Sequence, residues 1–368
     1  MRKTIVAALM VAAASVQAEV PTQYLSVKPA GEWAVAIATA SRTIDALMQT
    51  GAPGVSVAAA VDGEIIWAEG FGYADVENSV PVTPLTKFRI GSVSKAMTAI
   101  AMAQAVERGD LDLDAPIQTY LPAFPAKEKG IVTARWLASH RAGIRGYLED
   151  QSDNFVKEHY DEVDDALNIF ASDPLLHPPG SAYFYSSHGF NLLSAVIQAS
   201  VGTRFLDIMR TGVWGPMRLL NTLADHTDYI ITHRAAPYVR NENGQLINAP
   251  YVDNSYKWAG GGFLSTPSDV LHFGFGVLDR ELISQAAFEQ LTTRPLDHQG
   301  QPTEQNYGLG WALFGDGWVG HMGGSVGGTT LFHMHPEKRI AVAITCNLSS
   351  CFPKDLDLTA VRDAFVSD

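Results

Sequence analysis

Two segments near opposite ends of the chain, both with the pattern of a β-hairpin, constrain the fold more than any other feature. Residues 55–67 form two apolar runs around an Asp-Gly dipeptide, which is typical of a two-residue hairpin turn. Residues 328–345 repeat the pattern, with β-branched and aromatic residues around a Pro-Glu-Lys turn. Since hairpin strands pair antiparallel, the sequence predicts an antiparallel sheet with strands from both ends of the chain.

Helical segments surround and separate these hairpins. Residues 31–50 predict an amphipathic helix, and Ser92 opens a second helix that ends at Gly109. Residues 110–254 contain mainly helical segments and proline-rich loops, and residues 358–366 predict a closing helix. This order predicts an α+β fold, an antiparallel sheet flanked by helices with a helical subdomain inserted at roughly 110–254. A doubly wound parallel sheet is excluded because it needs regular alternation of strands and helices.

Composition and charge exclude several classes of protein. Of the 368 residues, 46% are hydrophobic and 18% are charged, which is ordinary for a globular chain with a large core. The formal net charge of −13 disfavours nucleic acid and anionic membranes as partners. The sequence contains no Gly-rich phosphate loop and no dinucleotide fingerprint, and it predicts neither a cofactor nor a metal.

The first residues predict a targeting segment. Two basic residues precede an apolar run over residues 4–14, and small residues follow up to Ala18. Because the run is short for a membrane span, we interpret residues 1–18 as a signal peptide cleaved near Ala18, with an N-terminal membrane anchor as the alternative. Residues 19–368 then form one secreted or periplasmic domain.

The two cysteines, Cys346 and Cys351, lie close together in the sequence. An oxidising compartment would allow them to form a disulfide. The sequence leaves open whether they pair or remain free thiols, and no Cys-His constellation around them indicates a catalytic role.

The segment Gly91-Ser92-Val93-Ser94-Lys95 contains a Ser-x-x-Lys pattern at the start of a predicted helix. Positions i and i+3 share one helix face, so the Lys95 amine can reach the Ser92 hydroxyl group. A desolvated lysine loses its charge and can take the proton that a serine must lose to act as a nucleophile. Such pairs also occur by chance, so the pattern carries weight only together with further motifs.

Further motifs follow in a fixed order along the chain. The segments are 137–144, 185–187, 259–269, 307–311 and 321–323. Ser-x-x-Lys, then Tyr-x-Ser or Tyr-x-Asn, then Lys-x-Gly or His-x-Gly resembles the signature of the serine β-lactamase and penicillin-binding-protein superfamily. The sequence is most similar to class C β-lactamases, family VIII carboxylesterases, D-aminopeptidase-like enzymes and the mitochondrial β-lactamase-like serine protein. The superfamily fold is an antiparallel sheet with flanking helices and a helical subdomain, which agrees with the prediction above.

The resemblance implies a serine hydrolase that works through an acyl-enzyme intermediate. Ser92 is the expected nucleophile, which attacks an ester or amide carbonyl. Lys95 and Tyr185 are expected to share proton transfer, and the sequence does not decide which of them is the base during acylation. The family chemistry needs no metal and no cofactor.

The resemblance also implies a set of binding residues. The backbone N–H groups of Ser92 and Gly324 are expected to form an oxyanion hole, with Gly323 beside it. Ser187 is expected to hydrogen-bond the substrate, and a helix cap is the alternative for its side chain. His321 is expected to line the cleft, and a structural hydrogen-bonding role is the alternative.

Three departures from the family pattern bear on the substrate. Many β-lactamases and D-Ala-D-Ala peptidases carry a lysine at the position of His321, where it pairs with a substrate carboxylate, but a histidine is mostly neutral at pH 7. Met322 also replaces a hydroxyl residue, and Ser187 replaces an asparagine. These changes favour small esters or amides as substrates. A β-lactamase or D-Ala-D-Ala carboxypeptidase is the alternative, as is a protein that binds penicillin or peptidoglycan without turnover; the oligomeric state is not predicted.

A second serine motif is excluded. Residues 323–327 match Gly-x-Ser-x-Gly, which places Ser325 at the nucleophile position of α/β-hydrolases. That motif needs a strand, a sharp turn and a helix, whereas a predicted hairpin strand follows Ser325.

Overall fold

The computed structural model describes residues 22–24 and 31–366. The predicted signal peptide, residues 1–18, lies outside the described residues. The strands are β1 (Thr22–Tyr24), β2 (Gly54–Val61), β3 (Glu64–Asp75), β4 (Val80–Pro81), β5 (Phe88–Arg89), β6 (Leu223–Ala224), β7 (Tyr238–Arg240), β8 (Leu246–Asn248), β9 (Phe263–Ser265), β10 (Ala312–Leu313), β11 (Val319–Ser325), β12 (Gly328–His335) and β13 (Ile340–Cys346).

The helices lie between and after these strands. They are α1 (Ala34–Gln49), α2 (Val93–Glu107), α3 (Ala134–Ala138), α4 (Ser187–Val201), α5 (Phe205–Ile208), α6 (Trp258–Gly261), α7 (Pro267–Leu278), α8 (Gln285–Leu291) and α9 (Thr359–Asp363). Within the described residues no single helix has the length and hydropathy of a membrane span, and one bent pair, Ser187–Val201 with Phe205–Trp214, meets both criteria only when its two members are counted together.

The main sheet joins the two ends of the chain. Its strand order is β1-β3-β2-β13-β12-β11-β10, with every neighbouring pair antiparallel. Both predicted hairpins are present, β2 with β3 and β12 with β13, and β13 pairs with β2 at the centre. The predicted α+β fold, with an antiparallel sheet flanked by helices, is therefore confirmed.

The central strands are apolar on both faces because each face is covered. In β2, Val57 and Ala59 enter the core beside α1, whereas Ala58 and Ala60 enter the core beside α2. Successive side chains of a strand point to opposite faces, so one continuous apolar run serves two cores. Helices α1 and α9 contact each other and pack on the first face, and α7 contacts β2 and β13 on the second.

The segment that follows α2 contains more strand than its sequence indicates. Strand β6 joins β5 and β9 in a three-stranded sheet, and β7 pairs with β8 in a separate hairpin. These strands are two or three residues long, which is too short for alternation of polar and apolar residues to be recognised in a sequence.

Cys346 and Cys351 form a disulfide. The bond closes the loop after β13, and Ser349 in that loop accepts a hydrogen bond from the Gly327 N–H (2.7 Å) and donates one to the Ser325 carbonyl (3.0 Å). The pairing that the sequence left open is therefore resolved, and the closed loop supports the turn between β11 and β12.

Candidate active site

Strand β11 lies directly against the turn that carries Ser92. Gly91 has φ +50°, and a Cβ atom there would lie 2.6 Å from the Gly324 carbonyl oxygen. A Cβ atom at Gly323 would lie 2.0 Å from the Ile90 carbonyl oxygen. Larger residues at either glycine would push the strand and the turn apart, so both glycines set the distance between Ser92 and β11.

The two predicted oxyanion donors border one cavity. Ser92 directly precedes the first residue of α2, and within residues 31–366 its N–H has no backbone acceptor. Gly324 is exposed and lines the same cavity as Ser92. Free N–H groups at a helix start favour a negative charge, so this arrangement is suited to an oxyanion.

Lys95 is fully buried and lies one helical turn after Ser92. Its Nζ is 2.9 Å from the Ser92 Oγ, 3.1 Å from the Ser187 Oγ and 2.5 Å from the Gly260 carbonyl oxygen. Burial, together with the nearby Lys257, holds the pKa of Lys95 well below its ordinary value. A neutral amine has two N–H bonds and one lone pair. One N–H is donated to the Gly260 carbonyl oxygen, which can only accept, and the second is donated to the Ser187 hydroxyl group. The lone pair is then left to accept the proton of the Ser92 hydroxyl group.

Tyr185 lies on the other side of Ser92. Its hydroxyl group hydrogen-bonds the Ser92 side chain, and the Lys95 Nζ is 4.9 Å from the centre of its ring. Desolvation raises the pKa of Tyr185, whereas the bond to Ser92 lowers it, and the side chain as a whole is 39% exposed. Desolvation is the larger of the two effects, so Tyr185 is a neutral phenol at pH 7.

The His140 ring supports Tyr185 from behind. The two ring centres are 4.1 Å apart, and the His140 Nδ1 accepts a hydrogen bond from the Ser186 N–H (3.2 Å). Burial holds the pKa of His140 well below its ordinary value, so the ring is neutral. This position explains the 137–144 segment as structural support for the tyrosine.

The two serines after Tyr185 have different tasks. Ser186 caps helix α4, since its Oγ accepts a hydrogen bond from the Gly189 N–H at 2.9 Å. Ser187 is buried and points to Lys95, and its side chain also hydrogen-bonds Tyr147. The alternative that Ser187 is only a helix cap is therefore wrong, and its hydroxyl group borders the cavity in front of Ser92.

His321 does not line the cleft, which differs from the prediction. Its ring is 4% exposed, its Nε2 accepts a hydrogen bond from the Tyr307 hydroxyl group (2.8 Å), and its Nδ1 donates one to the Met322 carbonyl (2.5 Å). Burial, with a smaller effect of Lys95, lowers the pKa of His321 to about 3. Alternation along β11 instead turns Met322 outward, where it is 47% exposed. The histidine is a structural hydrogen-bonding residue, and both of its ring nitrogens are occupied.

The excluded Gly-x-Ser-x-Gly motif lies at the end of a hairpin strand. Ser325 is the last residue of β11 and pairs with Gly328 at the start of β12. A strand follows the serine, so the exclusion of Ser325 as a nucleophile-elbow residue is confirmed.

A cavity of about 520 Å³ opens in front of Ser92. Besides Ser92, Ser187 and Gly324, its wall includes Tyr147, Asn154, Arg240 and Lys257. Within the described part of the chain, no group of three or more His, Cys, Asp or Glu side chains is arranged to hold a metal ion.

Sequence reasoning missed Lys257 and Tyr147 as parts of this cavity wall. Both residues are separated from Ser92 by long stretches of chain, and only the packing of distant segments brings them together. The sequence contains one local indication that Lys257 is enclosed. The lysine lies between two aromatic residues, directly before the Ala-Gly-Gly segment, and large aromatic side chains are usually buried.

Known proteins resemble this chain over most of its length. A family model described as Beta-lactamase matches residues 40–364. The human serine beta-lactamase-like protein LACTB, mitochondrial, is 32% identical over 426 aligned positions, which cover 87% of this chain and 77% of that protein.

Two solved structures share the fold. The octameric penicillin-binding protein homologue from Pyrococcus abyssi has a TM-score of 0.74 at 26% identity, and the match covers 88% of this chain and 76% of that one. The D-amino acid amidase from Ochrobactrum anthropi has a TM-score of 0.76 at 22% identity, with 89% and 98% covered. The chain therefore belongs to the beta-lactamase family, within the superfamily of serine hydrolases that includes serine β-lactamases and penicillin-binding proteins.

Proposed function

We propose that this protein hydrolyses small esters or amides through an acyl-enzyme intermediate on Ser92. The observation that carries the proposal is the environment of Lys95. Its amine is buried without a carboxylate partner and lies 2.9 Å from the Ser92 Oγ. Burial favours the neutral amine, which is the form that can act as the base for a serine nucleophile.

Acylation then follows from the positions of three groups. The Lys95 amine takes the Ser92 proton while the Oγ forms a bond to the substrate carbonyl carbon, and the carbonyl oxygen becomes an oxyanion between the N–H groups of Ser92 and Gly324. When the tetrahedral intermediate collapses, the bond to the leaving group breaks. The leaving alkoxide or amine takes a proton from the Tyr185 phenol, which regains one from the Lys95 ammonium group.

Deacylation repeats these steps with water. Lys95 removes a proton from a water molecule that attacks the acyl carbonyl carbon, and the Ser92 Oγ leaves with the proton returned by Tyr185 or Lys95. We assign acylation to Lys95 rather than to Tyr185. Burial lowers the pKa of the lysine, which favours its basic amine form, and raises the pKa of the tyrosine, which disfavours the phenolate.

The substrate class is proposed from the cleft wall and from relatives. The position that carries a lysine in many β-lactamases is a buried neutral histidine, His321, with no free donor. A structural neighbour is named a D-amino acid amidase, which supports amide and ester chemistry on this fold. A β-lactamase or D-Ala-D-Ala carboxypeptidase is the second candidate. A relative named a putative penicillin-binding protein, from Bacillus subtilis, supports it.

We also propose that the protein is exported after cleavage near Ala18. The Cys346–Cys351 disulfide supports an oxidising compartment. The relative LACTB is named mitochondrial, so a mitochondrial destination is the competing proposal. N-terminal sequencing of the protein recovered from its native cells decides between them: a start at Glu19 supports export, and an intact Met1 contradicts it.

The activity is tested with four substrates side by side: 4-nitrophenyl acetate, D-phenylalanine amide, D-Ala-D-Ala and nitrocefin. We expect turnover of the ester or the amide to exceed turnover of the lactam, and Ser92→Ala to remove all of it. Fastest turnover of nitrocefin or D-Ala-D-Ala would favour the second candidate. Acylation without turnover of any substrate would show a penicillin-binding role instead.

A further inference from the structure

Lys257 is a second buried lysine in the active-site cavity, and the mechanism above does not use it. It lies directly before α6, is 3% exposed and lines the same cavity as Ser92 and Gly324. A lysine is almost never buried without a partner unless it serves a function.

The ammonium group of Lys257 has no acceptor within the described residues. It faces the rings of Tyr256 and Tyr147, with its Nζ 5.0 and 6.0 Å from their centres. Lys87 and Lys127, which are also partly enclosed, each bond backbone carbonyl oxygens. Lys257 differs because its amine meets only aromatic faces and the cavity.

The acidic side chain that acts on Lys257, Asp225, is already neutralised by other partners. Asp225 is 1% exposed and accepts hydrogen bonds from Arg89 (2.7 Å), Arg234 (3.2 Å) and Asn254 (2.8 Å). Two guanidinium groups therefore share one carboxylate, and a charged Lys257 adds a further positive charge. This wall of the cavity carries an excess of positive charge that an incoming anion would balance.

We infer that Lys257 is a subsite for a carboxylate group on the substrate, placed on the wall of the cavity that contains Ser92 and Gly324. This inference rests on the proposed function and names the substrate class of the same site. The cation that many relatives carry at the position of His321 is thus supplied here from a different element. Among small esters, those that bear a carboxylate within reach of Lys257 are expected to bind more tightly than their neutral counterparts.

The groups around Lys257 agree with this role. Burial and the neighbouring Arg89 lower its pKa to about 7, and Asp225 acts in the opposite direction. Burial raises the pKa of Tyr147 to about 12 and also raises that of Tyr256, so both phenols stay neutral. Burial also holds the pKa of Lys95 well below its ordinary value. A carboxylate in the cavity would return Lys257 to its charged form, so binding takes up a proton near neutral pH.

The subsite is tested by binding rather than by turnover, in the full chain with Ser92→Ala. Two matched pairs of ligands place a carboxylate or a neutral amide on either side of the ester: 3-acetoxybenzoate with 3-acetoxybenzamide, and monomethyl adipate with methyl adipamate. Calorimetry gives Kd for each. We expect the carboxylate member of at least one pair to bind about tenfold more tightly at pH 6.5, as expected for a buried charge pair. Adding Lys257→Met should remove that preference, and Lys257→Arg should keep it.

The outcomes separate this inference from the proposed function. No carboxylate preference in the Ser92→Ala protein overturns the subsite, as does a preference that persists in Lys257→Met or that is lost equally in Lys257→Arg. Thermal melting of each variant shows that the protein remains folded. Since Ser92→Ala performs no chemistry, the binding result stands whether or not the native protein turns over esters.

Discussion

The two buried lysines of the cavity differ in their partners. Lys95 lies in α2 and has three partners within 3.1 Å, whereas Lys257 precedes α6 and faces only aromatic rings and open space. Burial lowers the pKa of both. Burial alone therefore does not determine the role of a lysine in this cavity. Lys95 has its geometry fixed for proton transfer, and Lys257 keeps its donors free for a ligand.

The largest loss of activity is expected from a substitution of Lys95. Lys95→Met keeps the side chain's length but removes the base, so kcat/KM for 4-nitrophenyl acetate should fall about 10³-fold or more. The same substitution at Lys257 should cost far less on this neutral ester. Steady-state kinetics of both variants checks the difference, and equal losses at the two positions would contradict the separate roles.

Tyr185→Phe tests the proton donor that completes the Lys95 centre. The ring and its packing on His140 remain, but the leaving group loses the nearest phenol, and the expected loss is about 10²-fold in kcat. An ester with a good leaving group, such as a 4-nitrophenyl ester, needs less protonation than an alkyl ester. The loss should therefore be larger for ethyl acetate than for 4-nitrophenyl acetate, and equal losses would argue against proton donation.

His321→Lys tests whether the cation can be moved back to β11. The new ammonium group would be buried and would lose both hydrogen bonds of the histidine, so the free energy of unfolding should fall by about 2 kcal/mol or more. Met322→Lys is the matched control: its side chain is 47% exposed, and the change should stay within about 0.5 kcal/mol. Urea denaturation measures both, and a stable His321→Lys protein would show that the ring is not enclosed.

The smallest expected effect is a difference in pH dependence. Hydrolysis of a neutral ester should fall toward acid pH as Lys95 takes up a proton, because its amine must be neutral to act as the base. A carboxylate ester should also lose kcat/KM above about pH 7, because Lys257 is charged only below its pKa of about 7. The described ionisable groups beside Lys257 are Arg89, Asp225, Lys95, Tyr147 and Tyr256. Parallel profiles from pH 5 to 9 for the two esters would contradict the assignment of Lys257.

The sequence was sufficient to predict that Ser92, Lys95 and Tyr185 lie together, but not to predict the other residues of the cavity wall. Ser92 and Lys95 are neighbours on one helix, so the contact follows from local spacing, and Tyr185 follows from an ordered motif. His321 was misplaced because the direction of a side chain on β11 depends on pairing with β12, which the motif does not encode. Lys257 was missed because its position depends on how distant segments pack around the cavity.

The secondary structure shows the same limit. The hairpins β2–β3 and β12–β13 are long enough for their alternation and turns to be read from the sequence, whereas β6, β7 and β8 are not. The pairing of Cys346 with Cys351 depends on the path of the chain after β13. The two long hairpins were predictable from local patterns, whereas the short strands and the disulfide depend on packing between distant segments.

The most direct test of the central claim is the intact mass of the protein after exposure to a fluorophosphonate, with peptide mapping of the adduct. We expect one adduct on Ser92, none in Ser92→Ala, and a normal adduct in Ser325→Ala. Labelling that persists in Ser92→Ala, or that is lost in Ser325→Ala, would contradict the assignment of Ser92 as the nucleophile.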